Sequence, residues 1–431
     1  MLKHGSGRAV LFLQERPDTV IYRSVIWGAC SENWSFDSQL EDERSPYLYD
    51  VIRATRDTPY YVGRIKEVLD TLGSSREPEN LFPTQLIRLA ALLTRRGAGD
   101  LREPMYRTVG TVAEETYGIA HIAENIIALD GVTGYWHLVE HVRHHSRRDD
   151  DRWREVSLID ELAEQFGESV ATAALRASAQ NNSERSQYLR EIQTIRKRQK
   201  FRARLKRRKS EKKPPPLAEV RAYIYSSPEK KIPKPQMKYM NEAVRRRLWS
   251  DFKQESDCMR QLRYLGILRT YRYVPFPGDP EVIIPLIRQT DDERLAWQAV
   301  RLLVDTNHTT IRAAALDLMK EEKRVPHAIE LLASNPGDGD VRLLESVIQR
   351  EWDDRAFEFI GMGIRQYIRN SPSPGFVPIL LLCYEKLACS FCRGQIVEML
   401  LQRDALPNTI REECHFDADS DTRALFRPAP R

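Results

Sequence analysis

Apolar residues recur three or four positions apart through most of this chain, and this spacing restricts the possible fold more than any other feature. Ile65, Val68 and Leu72, for example, fall on one face of an α-helix. The alternation of apolar and polar residues that is typical of strands is confined to two weak segments, residues 220–225 and 271–276. The sequence therefore predicts an all-α protein.

Two pairs of residues mark helix starts. Ser45 and Thr58 each precede a proline, so we expect the hydroxyl to cap the helix and the proline to occupy the first turn, where its missing N–H is not needed. The same periodicity predicts further helices within residues 84–93, 117–129, 135–145 and 157–166.

Past residue 280 the expected helices come in pairs joined by short polar turns. Residues 293–303 and 309–318 form one such pair, and residues 326–333 and 341–348 form another. One set of residues recurs 99 positions later: Arg294, Leu302, Asp305, Thr310, Ile311 and Arg312 return as Arg393, Leu401, Asp404, Thr409, Ile410 and Arg411. This separation equals about three two-helix repeats.

An acidic turn followed by an arginine and by small or aliphatic residues appears four times, in residues 292–296, 310–316, 340–344 and 419–424. In these segments, over roughly residues 280–425, the chain resembles the HEAT-like alpha-solenoid superfamily. The resemblance implies stacked helical hairpins that each bury an apolar face against a neighbour. We extend this expectation to the N-terminal half, where the succession of helices is similar.

Positive charge is concentrated in one stretch of the chain. Residues 190–247 hold 21 lysines and arginines against five acids, so this window carries +16 in a chain of net charge +5, and the remainder is −11. In the densest part, residues 196–209, cations stand at nearly every i, i+4 spacing, which weakens a helix by about 0.2–0.5 kcal/mol per pair. An anionic partner would relieve this repulsion.

Three interpretations of the basic stretch remain open. It binds the phosphates of DNA or RNA with a steep salt dependence, it binds an acidic protein surface, or it is a solvated helix or linker. The acidic surface in the second interpretation includes the remainder of this same protein. The candidate ligands for nucleic acid or an acidic partner are Arg196, Lys197, Arg198, Lys200, Arg202, Arg204, Lys206, Arg207, Arg208, Lys209, Arg245, Arg246 and Arg247.

A proline-rich stretch follows the basic one and sets the expected domain boundaries. Six prolines between residues 214 and 235 favour an extended, semi-rigid connection. The sequence thus predicts an alpha-solenoid of HEAT-like hairpins in two parts. These are an N-terminal helical domain at residues 1–180, a basic helix and Pro-rich linker at residues 181–235, and a C-terminal repeat domain at residues 236–431.

One short motif suggests metal chemistry. His137, Glu140 and His141 fit the H-x-x-E-H pattern, which resembles inverted zinc peptidases, and the i, i+4 spacing puts both histidines on one helix face. The resemblance implies two zinc ligands and a glutamate base. Such an enzyme needs a further carboxylate ligand on a packed helix, whereas the glutamates well downstream lie in proline- and lysine-rich chain. The plain alternative is the polar face of a helix.

Cysteines near the C-terminus offer a second set of soft ligands. Cys389 and Cys392 are spaced as a close pair, with Cys383 before them and Cys414-His415 after. Structural zinc usually takes two close pairs, and Cys414-His415 lacks the intervening residues. Because free cysteine is among the most buried residue types, we expect these side chains in the core.

Residues 417–421 begin like a calcium loop. The loop would need a glycine where Thr422 stands and a bidentate glutamate where Pro428 stands. A helix N-cap explains the acidic residues better.

Composition excludes several classes of protein. The longest apolar run, residues 376–383, is far shorter than the about 18 residues of a membrane span, and six cysteines in 431 residues are too sparse for a disulfide scaffold. We therefore expect a cytoplasmic protein without a membrane partner, or a nuclear one if the source is eukaryotic. No phosphate-binding glycine loop, kinase signature or nucleophile elbow is present, so we expect no cofactor.

These features leave three functional hypotheses. The first is a non-enzymatic scaffold that binds a protein partner through a helical-repeat surface, with the basic segment as a second contact site. The second is a nucleic-acid-binding HEAT-like protein, and because some HEAT-like solenoids are DNA glycosylases, the resemblance implies base excision as a variant. The third is a zinc hydrolase built on His137, Glu140 and His141.

Overall fold

The computed structural model of the chain describes residues 1–16, 18–72, 82–112, 118–145, 152–209, 216–226, 240–269, 276, 278–289 and 292–426. Every regular element within these ranges is a helix, and none of their residues forms a strand. The chain is all-α, as predicted. None of the described helices combines the length and the apolar character that crossing a membrane requires.

The helices group into two compact units. The first comprises Met1–Lys209, Cys389–Gly394 and Pro407–Arg431, and the second comprises Ser210–Ala388 and Gln395–Leu406. The first unit holds α1 (Arg8–Gln14), α2 (Arg23–Ser31), α3 (Ser45–Ala54), α4 (Thr58–Leu69), α5 (Pro83–Arg95), α6 (Arg102–Val112), α7 (Gly118–Asp130), α8 (Val132–His145), α9 (Arg152–Phe166), α10 (Glu168–Ala179) and α11 (Ser183–Lys209).

The second unit holds α12 (Leu217–Ile224), α13 (Glu242–Phe252), α14 (Cys258–Leu268), α15 (Ile284–Gln289), α16 (Glu293–Leu303), α17 (Thr309–Leu318), α18 (Val325–Leu332), α19 (Asp340–Ile348), α20 (Asp354–Asn370) and α21 (Val377–Lys386). α22 (Ser390–Leu401) has residues in both units, and α23 (Asn408–Cys414) and α24 (Ser420–Ala424) belong to the first.

Helices of the first unit contact each other in two alternating series. In one series α3 contacts α5, α5 contacts α7, α7 contacts α9 and α9 contacts α11. In the other series α4 contacts α6, α6 contacts α8 and α8 contacts α10. Helices adjacent in sequence also pack together, as α7 does with α8 and α9 with α10. Each helix therefore buries its apolar stripe against its neighbours in the chain and against the helices two places away.

The second unit repeats this arrangement. α14 contacts α16, α16 contacts α18 and α18 contacts α20, while α15 contacts α17 and α19 contacts α21. In α16, Ala296, Ala299, Val300 and Leu303 are completely buried, and these are the residues that the sequence placed on its apolar face. The two alanines leave room for the close approach of neighbouring helices.

Two helices begin where the Ser-Pro and Thr-Pro pairs predicted. α3 starts at Ser45 and α4 at Thr58, each with a proline in its first turn. The predicted capping by the hydroxyls is wrong, since neither cap position has a side-chain hydrogen bond and the Ser45 hydroxyl donates instead to the Gln85 carbonyl at 3.2 Å. Ser45 is buried, and a buried hydroxyl takes whichever acceptor the packing offers.

Aspartates cap several helices instead. Asp292 accepts hydrogen bonds from the backbone N–H groups of Arg294 and Leu295, and the side chain of Arg294 holds the pKa of Asp292 at about 2. The expected N-cap among residues 417–421 is confirmed, because Asp419 accepts from the Thr422 N–H at 2.7 Å and α24 begins one residue after it. These caps accept hydrogen bonds from backbone N–H groups of the first helical turn, which have no acceptor within the helix.

The two expected strand segments have different outcomes. Residues 220–225 were a weak strand candidate, but this interpretation is wrong, because α12 covers most of them. Val220, Tyr223 and Ile224 are all buried, and their spacing of three and four suits one helix face. Of the other segment, residues 271–275 lie outside the described part of the chain, as do most of the prolines between residues 214 and 235.

The C-terminal segments belong to the first unit, which the sequence did not indicate. Ser390 donates its backbone N–H to the buried Glu41 carboxylate at 2.7 Å, and Arg423 pairs with Asp50 at 2.9 Å. The unit also includes α11, which was predicted to belong to a separate basic helix and Pro-rich linker at residues 181–235. The buried side chains in the first half of α11 explain its place in this unit.

The 99-residue correspondence holds for packing but not for every side chain. Ile311 and Ile410 are both buried in the helices that follow the matched turns. Arg294, however, is 68% exposed, whereas its counterpart Arg393 is 4% exposed and pairs with Asp417 at 3.0 Å. The isoleucine position is thus buried in both segments, whereas Leu302 is buried and Leu401 only half-buried, and the charged positions differ.

A buried ionic network fixes the turn between α18 and α19. Asp340 accepts from the Arg312 guanidinium at 2.8 Å and 2.9 Å, from the Tyr367 hydroxyl at 2.7 Å and from the Gly337 N–H at 2.9 Å. Burial alone would raise the pKa of Asp340, but the hydrogen bonds from Arg312 and Tyr367 outweigh it and hold the pKa below 3.8. This carboxylate therefore ties together α17, α19 and α20.

We expect Asp340→Ala to destabilise the second unit by about 3–5 kcal/mol, because it leaves the partly buried guanidinium of Arg312 without its counter-ion. Chemical denaturation followed by circular dichroism measures the loss. Since the pKa of Asp340 is lowered in the folded state, its contribution is complete above its ordinary pKa of 3.8 and falls as the pH drops through the folded-state value. Glu351→Ala, at an exposed acid outside this network, is the control and should change stability little. Equal effects of the two substitutions would contradict this account.

Candidate functional site

The predicted basic segment lies on α11, and the first half of this helix is anchored in the core of the first unit. The Asn182 side chain accepts from the Arg185 N–H at 3.0 Å and caps the start of the helix. Tyr188, Leu189 and Ile192 are buried, and their spacing of one and three residues puts them on one face. The core therefore fixes the position and direction of α11 up to this point.

Arg196 is the last buried residue of this half. Its side chain donates to Asp160 on α9 at 2.7 Å and to Glu168 at the start of α10 at 2.8 Å, with a second hydrogen bond to Glu168. The hydrogen bond from Arg196 holds the pKa of Glu168 below its ordinary value, and the same bond raises the pKa of Arg196. This predicted phosphate ligand thus joins α11 to α9 and α10.

Past Arg196 the helix leaves the core. Lys197, Arg198, Lys200 and Phe201 are all exposed, and so is the glutamine between them. Five consecutive exposed positions cover more than one helical turn, so α11 has no buried face here. Lys200 is 3.5 Å from Asp160, while among the described residues Lys197 and Arg198 have no acidic partner.

The backbone of α11 continues as a helix to Lys209. The side chains of residues 202–209 lie outside the described part of the chain, and they include the predicted ligands Arg202, Arg204, Lys206, Arg207, Arg208 and Lys209. Residues 197–209 carry nine lysines and arginines and no acid. We call this segment, residues 197–209, the basic arm.

The second predicted group of cations, in α13 of the second unit, does not share one environment. Arg245 is buried, with 2% of its surface exposed, on the face that also carries Leu248 and Trp249. Arg246 pairs with Glu242 at 2.6 Å, one turn earlier on the exposed face. Arg247 is exposed. Arg246 and Arg247 are thus both exposed, and of these two only Arg246 has an acidic partner among the described residues.

The zinc motif residues lie on α8 with separate contacts. The His137 ring packs edge-on against Tyr106 with ring centroids 4.4 Å apart, and Glu140 pairs with Arg185 at 3.2 Å. In the described part of the chain, the ligand atoms of His137, Glu140 and His141 do not come within 4.8 Å of one another as a set. The contacts of His137 and Glu140 are those of a helix face in the first unit.

The cysteines are placed as the sequence predicted. Cys383, Cys389, Cys392 and Cys414 are all buried, and no disulfide links them. Burial raises the pKa of the Cys383 thiol to about 12, so this side chain is a neutral thiol at physiological pH. These are properties of core cysteines rather than of reactive ones.

A crevice lies beside the base of the basic arm, between α9, α10 and α11, with a volume of about 310 Å³. Its floor is aliphatic, with Ile159 and Leu175 buried. Arg176 and Lys197 stand at its edge together with Lys200. The sequence did not indicate this feature, because its residues come from three helices and become neighbours only in the folded unit.

Comparison with protein-family models, with curated proteins and with solved structures finds no match for this chain. The function is therefore inferred from the basic arm and from the packing of the helices.

We expect Arg196→Gln to lower the unfolding free energy of the first unit by about 1–3 kcal/mol, because it removes charged hydrogen bonds that join three helices. Urea denaturation measures the change. As the pKa of Glu168 is lowered in the folded state, the wild-type protein should lose this contribution as the pH falls below the ordinary value of 4.5, while the variant should show a flatter dependence there. Arg198→Gln, at an exposed cation two residues later, is the control. If both variants are equally stable, the hydrogen bonds of Arg196 to α9 and α10 do not contribute to the unfolding free energy.

Proposed function

We propose that this protein is a non-enzymatic scaffold of stacked helical hairpins of the HEAT-like alpha-solenoid type, and that its basic arm binds nucleic acid. The contacts between helices two places apart, within each unit, support the stacked-hairpin part of the proposal. Helices that alternate between two packed series are the arrangement expected of two-helix repeats. The degenerate sequence repeats past residue 280 point in the same direction.

The binding part of the proposal depends on one observation: α11 is held by the core up to Arg196 and then continues as a helix made largely of cations. Nine charges on 13 residues correspond to about one positive charge per 2.2 Å of helix, against about one phosphate charge per 1.7 Å of duplex axis. Few acidic protein surfaces carry negative charge at a density that matches the positive charge of this helix. Nucleic acid is therefore the favoured polyanion, and an acidic protein is the alternative.

A fluorescence-anisotropy titration of labelled DNA and RNA from low to high salt tests this proposal. We expect log K to fall steeply with log salt, since each neutralised phosphate contributes a slope of about −0.7 to −0.9. Replacing Lys206, Arg207, Arg208 and Lys209 by glutamine should reduce the slope by about three to four. Absence of binding at low salt, or a flat slope, overturns the nucleic-acid proposal.

The control for this titration removes the same amount of charge elsewhere in the first unit. Arg16, Lys66, Arg95 and Arg96 are exposed and lie outside α11. Replacing these four by glutamine changes the net charge equally and should leave most of the slope intact. An equal loss in both variants would mean that the protein binds through its overall charge and not through the basic arm.

A second contact site, for a protein partner, is favoured by an exposed aliphatic patch in the first unit. Val20, Ile21 and Val25 are 52%, 72% and 47% exposed and lie within six positions of one another, the first two in the 3-10 helix Val20–Tyr22 and the third in the first turn of α2. Clustered exposed aliphatic residues are typical of surfaces that bind other proteins. This patch supports the scaffold hypothesis independently of the basic arm.

Affinity purification at physiological salt separates the two contacts. We expect an Ile21→Asp variant to lose proteins that the patch recruits and to keep whatever the basic arm binds, because a carboxylate on the patch is costly to bury in an apolar interface. A variant lacking residues 197–209 should show the reverse loss. Identical sets of proteins recovered with Ile21→Asp and with the wild type would exclude the patch as a contact site.

A further inference from the structure

The crevice between α9, α10 and α11 has the two properties of a small binding site for an anionic ligand with an apolar body. Its floor includes the aliphatic side chains of Ile159, Ala163 and Leu175, and its volume of about 310 Å³ lies at the lower end of the range for ligand pockets, about 300–1,000 Å³. Thr172 and Gln193 also line it, and neither side chain bonds to another described residue. Seven of the eleven lining residues are polar or charged, so the crevice is more polar than the usual ligand pocket and suits a charged ligand.

The charges around the crevice favour an anion. Glu168 is the acid that lines it, and the guanidinium of Arg196 donates two hydrogen bonds to this carboxylate and offsets its charge. Arg176 and Lys197 line the same crevice, and within the described ranges neither has an acidic partner. The electrostatic potential at the edge of the crevice is therefore positive. Lys197, which contributes to it, is also the first residue of the basic arm.

We propose that this crevice takes one unpaired base of a single-stranded nucleic acid, with the adjacent phosphates on Arg176 and Lys197. The inference rests on the proposed function, since it assigns the strand state of the nucleic acid that the basic arm binds. The flat face of a base fits the aliphatic floor, and Thr172 and Gln193 present the hydroxyl and amide groups that hydrogen-bond base edges.

Single strands are favoured over duplexes for a physical reason. A base in a duplex is stacked and paired, so placing it in the crevice costs the energy of extrusion, whereas a base of a single strand is already available. The cations of the basic arm bind phosphates and do not distinguish the two forms by their bases, whereas Phe201 of the same arm is 63% exposed and can stack on an unpaired base. A preference for single strands that persists in a Phe201→Ala variant therefore originates in the crevice, and the salt dependence in the arm.

The test compares a labelled single-stranded 12-mer with a duplex of the same sequence at one salt concentration. We expect the wild-type protein to bind the single strand about tenfold more tightly, which corresponds to about 1.4 kcal/mol. Ala163→Leu fills the crevice and should remove this preference while leaving the affinity for the duplex unchanged. Ala173→Leu adds the same side chain at an exposed position of α10 outside the crevice and should preserve the preference.

Each outcome bears on a different proposal. Equal affinity of the wild type for both forms, with a steep salt slope, overturns the crevice proposal and leaves the basic arm intact. Binding of neither form at low salt overturns the proposed function itself. A free nucleoside monophosphate that binds as tightly as the 12-mer also overturns the assignment to a strand. If Ala163→Leu does not fold, Gln193→Ala removes the amide of the crevice instead and should weaken the preference for the single strand without changing the affinity for the duplex.

Discussion

Helices as short as these are not stable alone in water, and this constraint determines the rest of the structure. The helices from α1 to α10 have between seven and 15 residues, near or below the length at which isolated helices become marginally stable. Each therefore depends on burying its apolar stripe against neighbours, which explains why contacts run both to the next helix and to the helix two places away. The two alternating series follow from this dependence within each unit.

Over its described side chains, residues 197–201, the basic arm does not bury an apolar stripe against neighbouring helices, unlike the short helices. Before Arg196, α11 has the buried residues of an ordinary packed helix, and after it the next five side chains are all exposed. Arg196 marks the transition because it belongs to both parts: it continues the row of cations in sequence, while its guanidinium is fixed by acids from α9 and α10. One residue of a uniform basic run thus has a structural role that its neighbours do not share.

The sequence predicted those features that depend on local spacing. Helices at residues 84–93, 135–145 and 157–166 follow from apolar periodicity, and α5, α8 and α9 cover them. It could not separate Arg196 or Arg245 from the cations beside them, because burial depends on which residues distant helices bring near. Asp160 is 36 positions from Arg196 and Glu168 is 28 positions away, so no local pattern joins them.

The same reasoning explains why the crevice and the return of the C-terminal segments were not predicted. The contact of Ser390 with Glu41 spans 349 positions, and neither residue stands in a distinctive pattern. Likewise, the 99-residue correspondence conserves buried positions such as Ile311 and Ile410 because both must pack against a neighbouring helix. Arg294 and Arg393 are free to differ, since each is fixed by an acid that the repeat itself does not specify.

Anchoring α11 in the core also has a consequence for binding. Nucleating a helix is unfavourable by a factor of about 10³, whereas extending an existing helix by one residue is nearly neutral. Because the core already holds the first half of α11, the basic arm needs only extension, and this offsets the weakening of about 0.2–0.5 kcal/mol for each like-charged i, i+4 pair. The cations are thereby presented on a preformed helix, so a polyanion that bound them, as we propose, would not incur the entropic cost of ordering the segment that carries them. A flexible linker of the same composition would attract the same ligand but would lose part of that gain on binding.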